Sequence, residues 1–214
     1  MFRGPRLLFL ILLSVWGLCA WWFTPAGGAL TAAEIDAYIE QIRARVDGPV
    51  DPGLIAELRT LAASDDGRAF VNVNLIRFRD KAAYPPGSGY GDDPLEADRR
   101  YSEAIIPALF RHGAMPLWVG NVSGRFLEPT GAEHWDRAAL VRYRSRRDLF
   151  EMVVELAGQP IGIHKWASIK KTHVFPAVTT LSVASPPLIA GALLTWLGLL
   201  LHLVLRRFAF YTTT

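Results

Sequence analysis

Two long apolar stretches lie near the two ends of the chain and enclose a charged middle. Residues 7–23 and roughly 181–205 contain no Asp, Glu, Lys or Arg. Four arginines flank these stretches: Arg3, Arg6, Arg206 and Arg207. A bilayer core about 30 Å thick requires roughly 20 apolar residues in a helix. The second stretch meets this length, and the first, with 17 residues, is at the lower limit. The pattern predicts two transmembrane helices.

The first apolar stretch has two interpretations. A basic start, an apolar run and small residues at Ala26–Ala29 are typical of a cleaved signal peptide. However, the apolar run is longer than the usual 7–15 or so residues of such peptides. Trp21, Trp22 and Phe23 also form an aromatic cluster of the kind found at the end of a retained membrane helix. We expect a retained anchor, with cleavage as the alternative.

The flanking charges predict an orientation in the cell (inner) membrane. Cytoplasmic segments next to membrane helices are enriched in Lys and Arg. The terminal arginines therefore predict that both termini are cytoplasmic and that residues 24–180 lie outside the cytoplasm. Small residues at Gly191, Thr195 and Gly198 share one face of the second span, which favours close packing of the two helices. Ser14 and Gly17 are the expected contacts on the first span.

The middle of the chain begins with two helix-start motifs, and these are followed by a segment in which apolar and polar residues alternate. A capping box at Thr31–Glu34 and an Asp51-Pro52 start predict two lead-in helices. The alternating run Phe70–Arg79 predicts a strand. The predicted elements are helices over 31–46 and 51–63, a strand over 70–79, a helix over 93–112, strands over 115–126 and 138–144, a helix over 145–157 and a strand over 164–174. The last six give the order β-α-β-β-α-β, which predicts an α+β, ferredoxin-like antiparallel sheet.

The predicted domains are 1–30 (anchor and flank), 31–69 (helical lead-in), 70–174 (ferredoxin-like domain) and 175–214 (second span and tail).

Four sequence segments carry a family resemblance: NVNLIRFR, a Tyr-bearing helix ending in HG, MPLWVGNVSG and WDRAALVRYRSRRDLFEMV. In this order they resemble the dimeric α/β-barrel superfamily, and most of all its small DUF1330-type domains. The resemblance covers about residues 70–174. It implies a homodimer in which two sheets close into a barrel around a cavity. The wider superfamily includes antibiotic-biosynthesis monooxygenases, stress-response barrels and haem-binding enzymes, but no invariant catalytic motif is matched here.

The composition and the distribution of charge exclude several classes of binding partner and metal site. The formal net charge is +3, but the four terminal arginines contribute +4, and the remaining 19 basic and 20 acidic residues give the middle a charge of −1. The basic excess therefore belongs to the membrane flanks and does not indicate nucleic-acid binding. The single cysteine, Cys19, excludes an internal disulfide and a cysteine-based metal site. The histidines show no metal-ligand spacing, and we expect neither a metal nor a cofactor.

Strand alternation predicts which residues share a sheet face. In the first strand Val71, Val73 and Leu75 form an apolar row, expected under the helices, while Asn72 and Asn74 point the other way. We expect the open face to form the cavity wall. Its candidate ligand-binding residues are Asn72, Asn74, Trp118, Arg142, His164 and Trp166. The alternative is that these polar groups bind each other across a dimer interface and hold no ligand.

The sequence favours a membrane-anchored, homodimeric module outside the cytoplasm that binds a small hydrophobic ligand or serves in assembly. The alternative is a cofactor-free monooxygenase- or isomerase-like enzyme that acts on a substrate partitioning from the lipid bilayer. His164 is the one residue of the predicted cavity face eligible as a general base. The catalytic residues, if any, are unknown from the sequence.

Overall fold

The structure, a computed structural model, describes residues 3–124, 127, 134–182 and 184–211. It divides into two compact units, one of residues 25–179 and one of residues 1–24 and 180–214. Its helices are α1 (Arg3–Trp22), α2 (Ala32–Arg45), α3 (Pro52–Ala63), α4 (Pro94–Arg111), α5 (Arg146–Leu156), α6 (Ile161–Ser168) and α7 (Pro186–Tyr211). Its strands are β1 (Phe70–Phe78), β2 (Met115–Asn121), β3 (Arg137–Tyr143) and β4 (Ile169–Ala177). The fold is α+β.

The four strands form one antiparallel sheet in the order β2-β3-β1-β4. In the register, Asn72 lies opposite Val141, and Val73 lies opposite Leu140 on β3 and Phe175 on β4. Residues directly opposite each other in an antiparallel pair share a face. Val73, Leu140 and Phe175 therefore lie on one face of the sheet, and Asn72 and Val141 lie on the other.

Helices α4 and α5 pack on one face of the sheet, and the lead-in helices α2 and α3 pack on the outer side of α5. Phe70 and Tyr143 stack 5.4 Å apart at one end of this face and pack against Leu109 of α4 and Leu149 of α5. A second cluster joins the outer side of α5 to the lead-in helices, with Phe150 fully buried at its centre. The lead-in helices therefore belong to the compact unit of the sheet and extend its core.

The lead-in helices begin as the sequence predicts. The Thr31 side chain and Glu34 form the reciprocal capping box at the start of α2, and Asp51 caps α3 with Pro52 in its first turn. Arg147 of α5 donates to Glu34 at 2.5 Å. The Glu34 side chain therefore completes the capping box of α2 and also joins α2 to α5.

The second unit consists of α1 and α7, which pack antiparallel. Trp16 donates from Nε1 to the carbonyl of Pro187 at 2.9 Å, and the Phe9 ring lies 6.1 Å from that of His202. A Cβ atom on Gly191 would lie 2.9 Å from the Trp16 indole nitrogen. The predicted small-residue face of α7 therefore does admit close packing. The facing surface of α1 is aromatic and aliphatic, because Trp16 lies against Gly191 and Phe9 and Leu12 lie against Gly198. The expected contact Gly17 does not take part, since a Cβ atom there would have no heavy atom within 4 Å.

Three predicted features need correction. Among the described residues, Pro186–Arg207 within α7 is long and apolar enough to cross a membrane, whereas the apolar part of α1, Arg6–Trp22, is shorter. Of the two expected spans, α7 therefore has the length and composition of a membrane span, and α1 is too short by the same criterion. The predicted strand over 164–174 was wrong in its first half, because residues 161–168 form helix α6 and β4 begins at Ile169. Strand β2 ends at Asn121, and residues 125 and 126 of its predicted length lie outside the described residues.

Candidate functional site

A cavity of about 350 Å³ lies between the helix-covered face of the sheet and helices α4 and α6. Its floor comes from the sheet and includes Asn74, Ile76 and Val141, and its roof from α4 includes Tyr101 and Ile105. Most of the lining is apolar. The cavity therefore has the size and character of a small-molecule site, in which a mostly apolar wall carries a few polar groups.

The rim of the cavity is exposed and apolar. Val119 on β2, Val174 on β4 and Ile106 on α4 all line it, and 56%, 46% and 41% of their surfaces are exposed. These side chains lie where a ligand would enter or where its tail would emerge. An apolar entrance favours an apolar ligand, because the ligand covers surface that otherwise contacts water.

Lys165 of α6 contributes a positive charge to this lining. Its Nζ lies 5.6 Å from the ring centroid of Tyr101 and 5.1 Å from that of Trp166, within the range of cation–π attraction. Among the described residues, Lys165 has no carboxylate partner and no hydrogen-bond acceptor. The residue as a whole is partly exposed, but burial lowers the pKa of its amine from the ordinary value of 10.5. The amine is thus held by aromatic rings in an apolar wall without a counter-charge.

The other charges of the cavity neutralise each other. Arg137 of β3 binds the carboxylate of Asp98, a buried residue of α4, and donates from Nε to Asn121 at 2.9 Å. Burial raises the pKa of Asp98, and the charge of Arg137 opposes this shift. Burial and the charge of Asp98 together raise the pKa of Tyr101 to about 12. Tyr101 therefore keeps its hydroxyl proton at neutral pH and can donate a hydrogen bond.

Asn72 and Asn74 lie on the helix-covered face, opposite to the predicted arrangement. Asn72 is buried, and Asn74 donates from its amide to the carbonyls of Asn72 and Ala139 at 3.1 and 3.4 Å. Asn74 is accommodated on the helix-covered face because backbone carbonyl groups of the sheet accept hydrogen bonds from its side-chain amide. The apolar row of Val71, Val73 and Leu75 consequently lies on the other face. The prediction that apolar rows face the helices was wrong for β1 and correct for β3, where Val141 lines the cavity.

Trp118 and Arg142 lie on the opposite sheet face from the two asparagines. Trp118 pairs with Leu140, and Arg142 pairs with Val71. The Trp118 ring covers the Cα of Gly120, where any Cβ would overlap it. This face is half-exposed at its aromatic positions, with 53% of Trp118 and 47% of Phe175 accessible. These two predicted residues therefore do not belong to the cavity.

His164 and Trp166 lie on α6, so they belong to neither sheet face. The Tyr84 hydroxyl and His164 Nδ1 are 2.8 Å apart, and the Tyr90 ring meets the His164 ring edge-on at 4.9 Å. His164 thus fixes the loop that follows β1 and is absent from the described cavity lining. Trp166 is 59% exposed, and its ring contributes to the site by contacting Lys165. The six predicted residues are therefore divided among two sheet faces and one helix.

Sequence reasoning does not identify Lys165 and Tyr101 as site residues. Tyr101 lies in the Tyr-bearing predicted helix, and an aromatic residue in the third turn of an amphipathic helix indicates a core-facing position. Lys165 has no sequence signal of its own, because a lysine next to Trp166 is typical of a solvated surface. The burial of its amine depends on the contact of α6 with α4.

Comparison with known proteins establishes the fold without a function. No protein-family model matches this chain, and no curated protein matches it. The crystal structure of RPA0582, a protein of unknown function from Rhodopseudomonas palustris, is similar, with a TM-score of 0.53 and 23% identity over 63% of this chain and 97% of that one. The methylated form of RPA0582 gives a TM-score of 0.52 and 23% identity over 66% and 99% of the two chains. At this identity the likeness concerns the fold alone.

Proposed function

We propose that this protein is a membrane-anchored module of the ferredoxin-like, dimeric α/β-barrel type that binds a small, mostly apolar molecule in the cavity beneath α4. One observation carries the proposal: the cavity contains an amine, that of Lys165, without a counter-charge among the described residues. The amine is partly withdrawn from water, and a cation in such a position without an anionic partner destabilises the fold. Its retention in an apolar wall is expected where a ligand supplies the missing group.

The experiment compares two tryptophan substitutions on neighbouring positions of α4. Ile105→Trp fills the cavity, whereas Ala104 is exposed and absent from the described lining, so Ala104→Trp is the matched control. Native mass spectrometry of the full chain released from detergent should reveal a retained small molecule in the wild type and in Ala104→Trp. Ile105→Trp should lose it. Absence of any retained species in the wild type, or equal retention by Ile105→Trp, would contradict the proposal.

The exposed sheet face supports dimerisation as the second part of the proposal. It carries Val71, Val73 and Leu75 from β1 together with the half-exposed rings of Trp118 and Phe175. The face also carries Arg142 and His173, but exposed apolar surface of this kind is typical of an interaction surface. The resemblance to dimeric α/β barrels favours a second copy of the chain as its occupant, with the same face on both protomers.

The paired helices support the membrane part of the proposal. Because α1 packs antiparallel along α7, both helices lie at the same depth if α7 crosses a bilayer. We therefore propose a two-helix hairpin in the cell membrane with both termini cytoplasmic, the arrangement favoured by the flanking arginines. Protease added to spheroplasts should then cleave the domain formed by residues 25–179, and complete protection of this domain would contradict the orientation.

A second candidate function is catalysis in the same cavity. Lys165 favours it, because a buried amine with a lowered pKa can act as a general base nearer to neutral pH than an exposed lysine. The reaction class would be cofactor-free proton abstraction, as in an isomerase or a monooxygenase without a cofactor. NMR detection of deuterium exchange next to a ligand carbonyl in D₂O, present in the wild type and absent in Lys165→Met, would support it; no exchange in the wild type would reject it.

A further inference from the structure

We infer that the ligand of this cavity is an amphipathic molecule with an apolar chain and a single carboxylate, and that Lys165 binds the carboxylate. The inference rests on the proposed function, because it assumes that the cavity holds a ligand. It goes beyond that function by naming the chemical class of the ligand and the residue that selects it.

The polar groups that line the cavity fall into two sets. Five of them already have protein partners: Arg137 and Asp98 bind each other, the Asn74 amide donates to sheet carbonyls, the Thr172 hydroxyl donates to the carbonyl of Leu75 at 3.0 Å, and the Tyr143 hydroxyl is hydrogen-bonded to the Asn72 side chain. Lys165, Tyr101 and Ser102 also line the cavity and have no hydrogen-bond partner among the described residues. All three can donate a hydrogen bond to an anion.

The charges of the lining indicate the charge of the ligand. Lys165 is the cation of the described lining that lacks an anionic partner, since Arg137 is neutralised by Asp98. A carboxylate carries one negative charge and therefore restores neutrality in the apolar wall. A doubly charged phosphate would leave one charge uncompensated in a mostly apolar lining, which is costly. A cationic ligand would place a like charge beside Lys165.

The cavity volume indicates the size of the apolar part. A cavity of 350 Å³ accommodates roughly ten groups of methylene size if each takes about the 30 Å³ of a water molecule. An acyl chain of medium length fits this space. A longer chain would emerge over the exposed rim of Val119 and Val174. Because the domain is proposed to stand at a membrane, acids of this kind could reach the rim from lipid or from solution, and both sources share the same chemistry.

The test measures the affinity of the full chain in nanodiscs for octanoate, octan-1-ol and octylamine by isothermal titration at neutral pH, with empty nanodiscs as the blank. We expect octanoate to bind roughly tenfold more tightly than octan-1-ol, a difference of about 1.4 kcal/mol, and octylamine to bind more weakly than both. Lys165→Met, which keeps the length and apolar packing of the side chain, should remove the preference for octanoate over octan-1-ol. Lys165→Gln is the second variant, with a donor but no charge, and should behave in the same way.

The outcomes separate the two proposals. Equal binding of octanoate and octan-1-ol by the wild type, or an unchanged octanoate affinity in both lysine variants, would overturn the role of Lys165 while the cavity would remain a ligand site. Tighter binding of hexadecanoate than of octanoate, with the same dependence on Lys165, would support the inference and indicate a lipid-derived source. Failure of all these probes to bind the wild type would overturn the inference and the proposed function together.

Discussion

The Lys165 amine lies 5.6 Å from the ring centroid of Tyr101, inside a cavity where no described acidic group pairs with it. Burial lowers the pKa of Lys165 below 10.5. Between the folded and the unfolded pKa the folded protein binds fewer protons than the unfolded chain, so the free energy of unfolding rises with pH in this window. At lower pH both states are protonated and the full cost of the buried charge is present.

We therefore expect Lys165→Met to stabilise the ligand-free protein at pH 7 by about 1 kcal/mol, the usual size of a single-site effect. The advantage should shrink as the pH rises toward 10.5, the ordinary value for lysine. Denaturant unfolding at a series of pH values measures it. Lys170→Met on β4 is the matched control, because Lys170 is exposed. A destabilising effect of Lys165→Met at pH 7, or an identical pH dependence for both variants, would contradict this prediction.

The loop after β1 is held by backbone hydrogen bonds, such as that from Ala83 to the carbonyl of Ala167 at 2.9 Å, and by a side-chain hydrogen bond between Tyr84 and His164 at 2.8 Å. Tyr84→Phe should destabilise the protein by about 1 kcal/mol, the usual contribution of a single hydrogen bond, and should increase amide exchange in residues 80–92. Tyr90→Phe is the control, because Tyr90 contacts His164 and Tyr84 through its ring alone among the described residues. Equal effects of the two substitutions on exchange would show that ring packing holds the loop.

The lead-in helices depend on the buried carboxylate of Asp65. It accepts hydrogen bonds from the backbone of Leu30 at 2.8 Å and Gly67 at 2.9 Å, and the buried Arg146 side chain lies 3.4 Å away. Asp65→Asn should cost about 3 kcal/mol, because it leaves Arg146 buried without a full counter-charge. Asp66 lies 3.5 Å from the same guanidinium but is 44% exposed, so Asp66→Asn should cost less than about 1 kcal/mol. Thermal unfolding of the two variants compares them, and equal losses would contradict this interpretation.

Dimerisation is tested on the exposed sheet face with two phenylalanines of similar accessibility. Phe175 is on that face and 47% exposed, whereas Phe110 is on α4 and 45% exposed. Phe175→Asp should convert the detergent-solubilised full chain from dimer to monomer, as measured by light scattering after gel filtration, because the charge would lie in an apolar interface. Phe110→Asp should leave the mass unchanged. A monomeric wild type, or a dimer that survives Phe175→Asp, would contradict this use of the face.

Several elements could be predicted because their local signals agree with their tertiary contacts. The capping box at Thr31 and the alternation from Phe70 both correspond to real elements, α2 and β1. Within β1 and within β3, alternation also identified which residues share a face. It could not identify which face the helices cover, because the Asn74 amide is accommodated there by backbone carbonyls and the Asn72 side chain by Tyr143, contacts that exist once the sheet has formed.

The site was less predictable than the fold. Residues 164–168 alternate in polarity like a strand but form α6, since a short helix is decided by its packing against α4 more than by its own periodicity. Because this segment was predicted to be a strand, His164 and Trp166 were assigned to the sheet, and Lys165 was not identified as a site residue. The burial of a lysine amine is a tertiary property, so the residue most important for the proposed function had no sequence signal of its own.

The most direct measurement is an NMR titration of the four lysines, Lys81, Lys165, Lys170 and Lys171, after reductive methylation with ¹³C-formaldehyde in the full chain. Each dimethylated amine gives a separate methyl signal and keeps its charge, and Lys165→Met assigns the relevant one. We predict that the Lys165 signal titrates below the ordinary lysine value of 10.5, and that octanoate shifts it alone and raises its pKa. A Lys165 signal that titrates at the ordinary value and does not respond to octanoate would contradict the central claim.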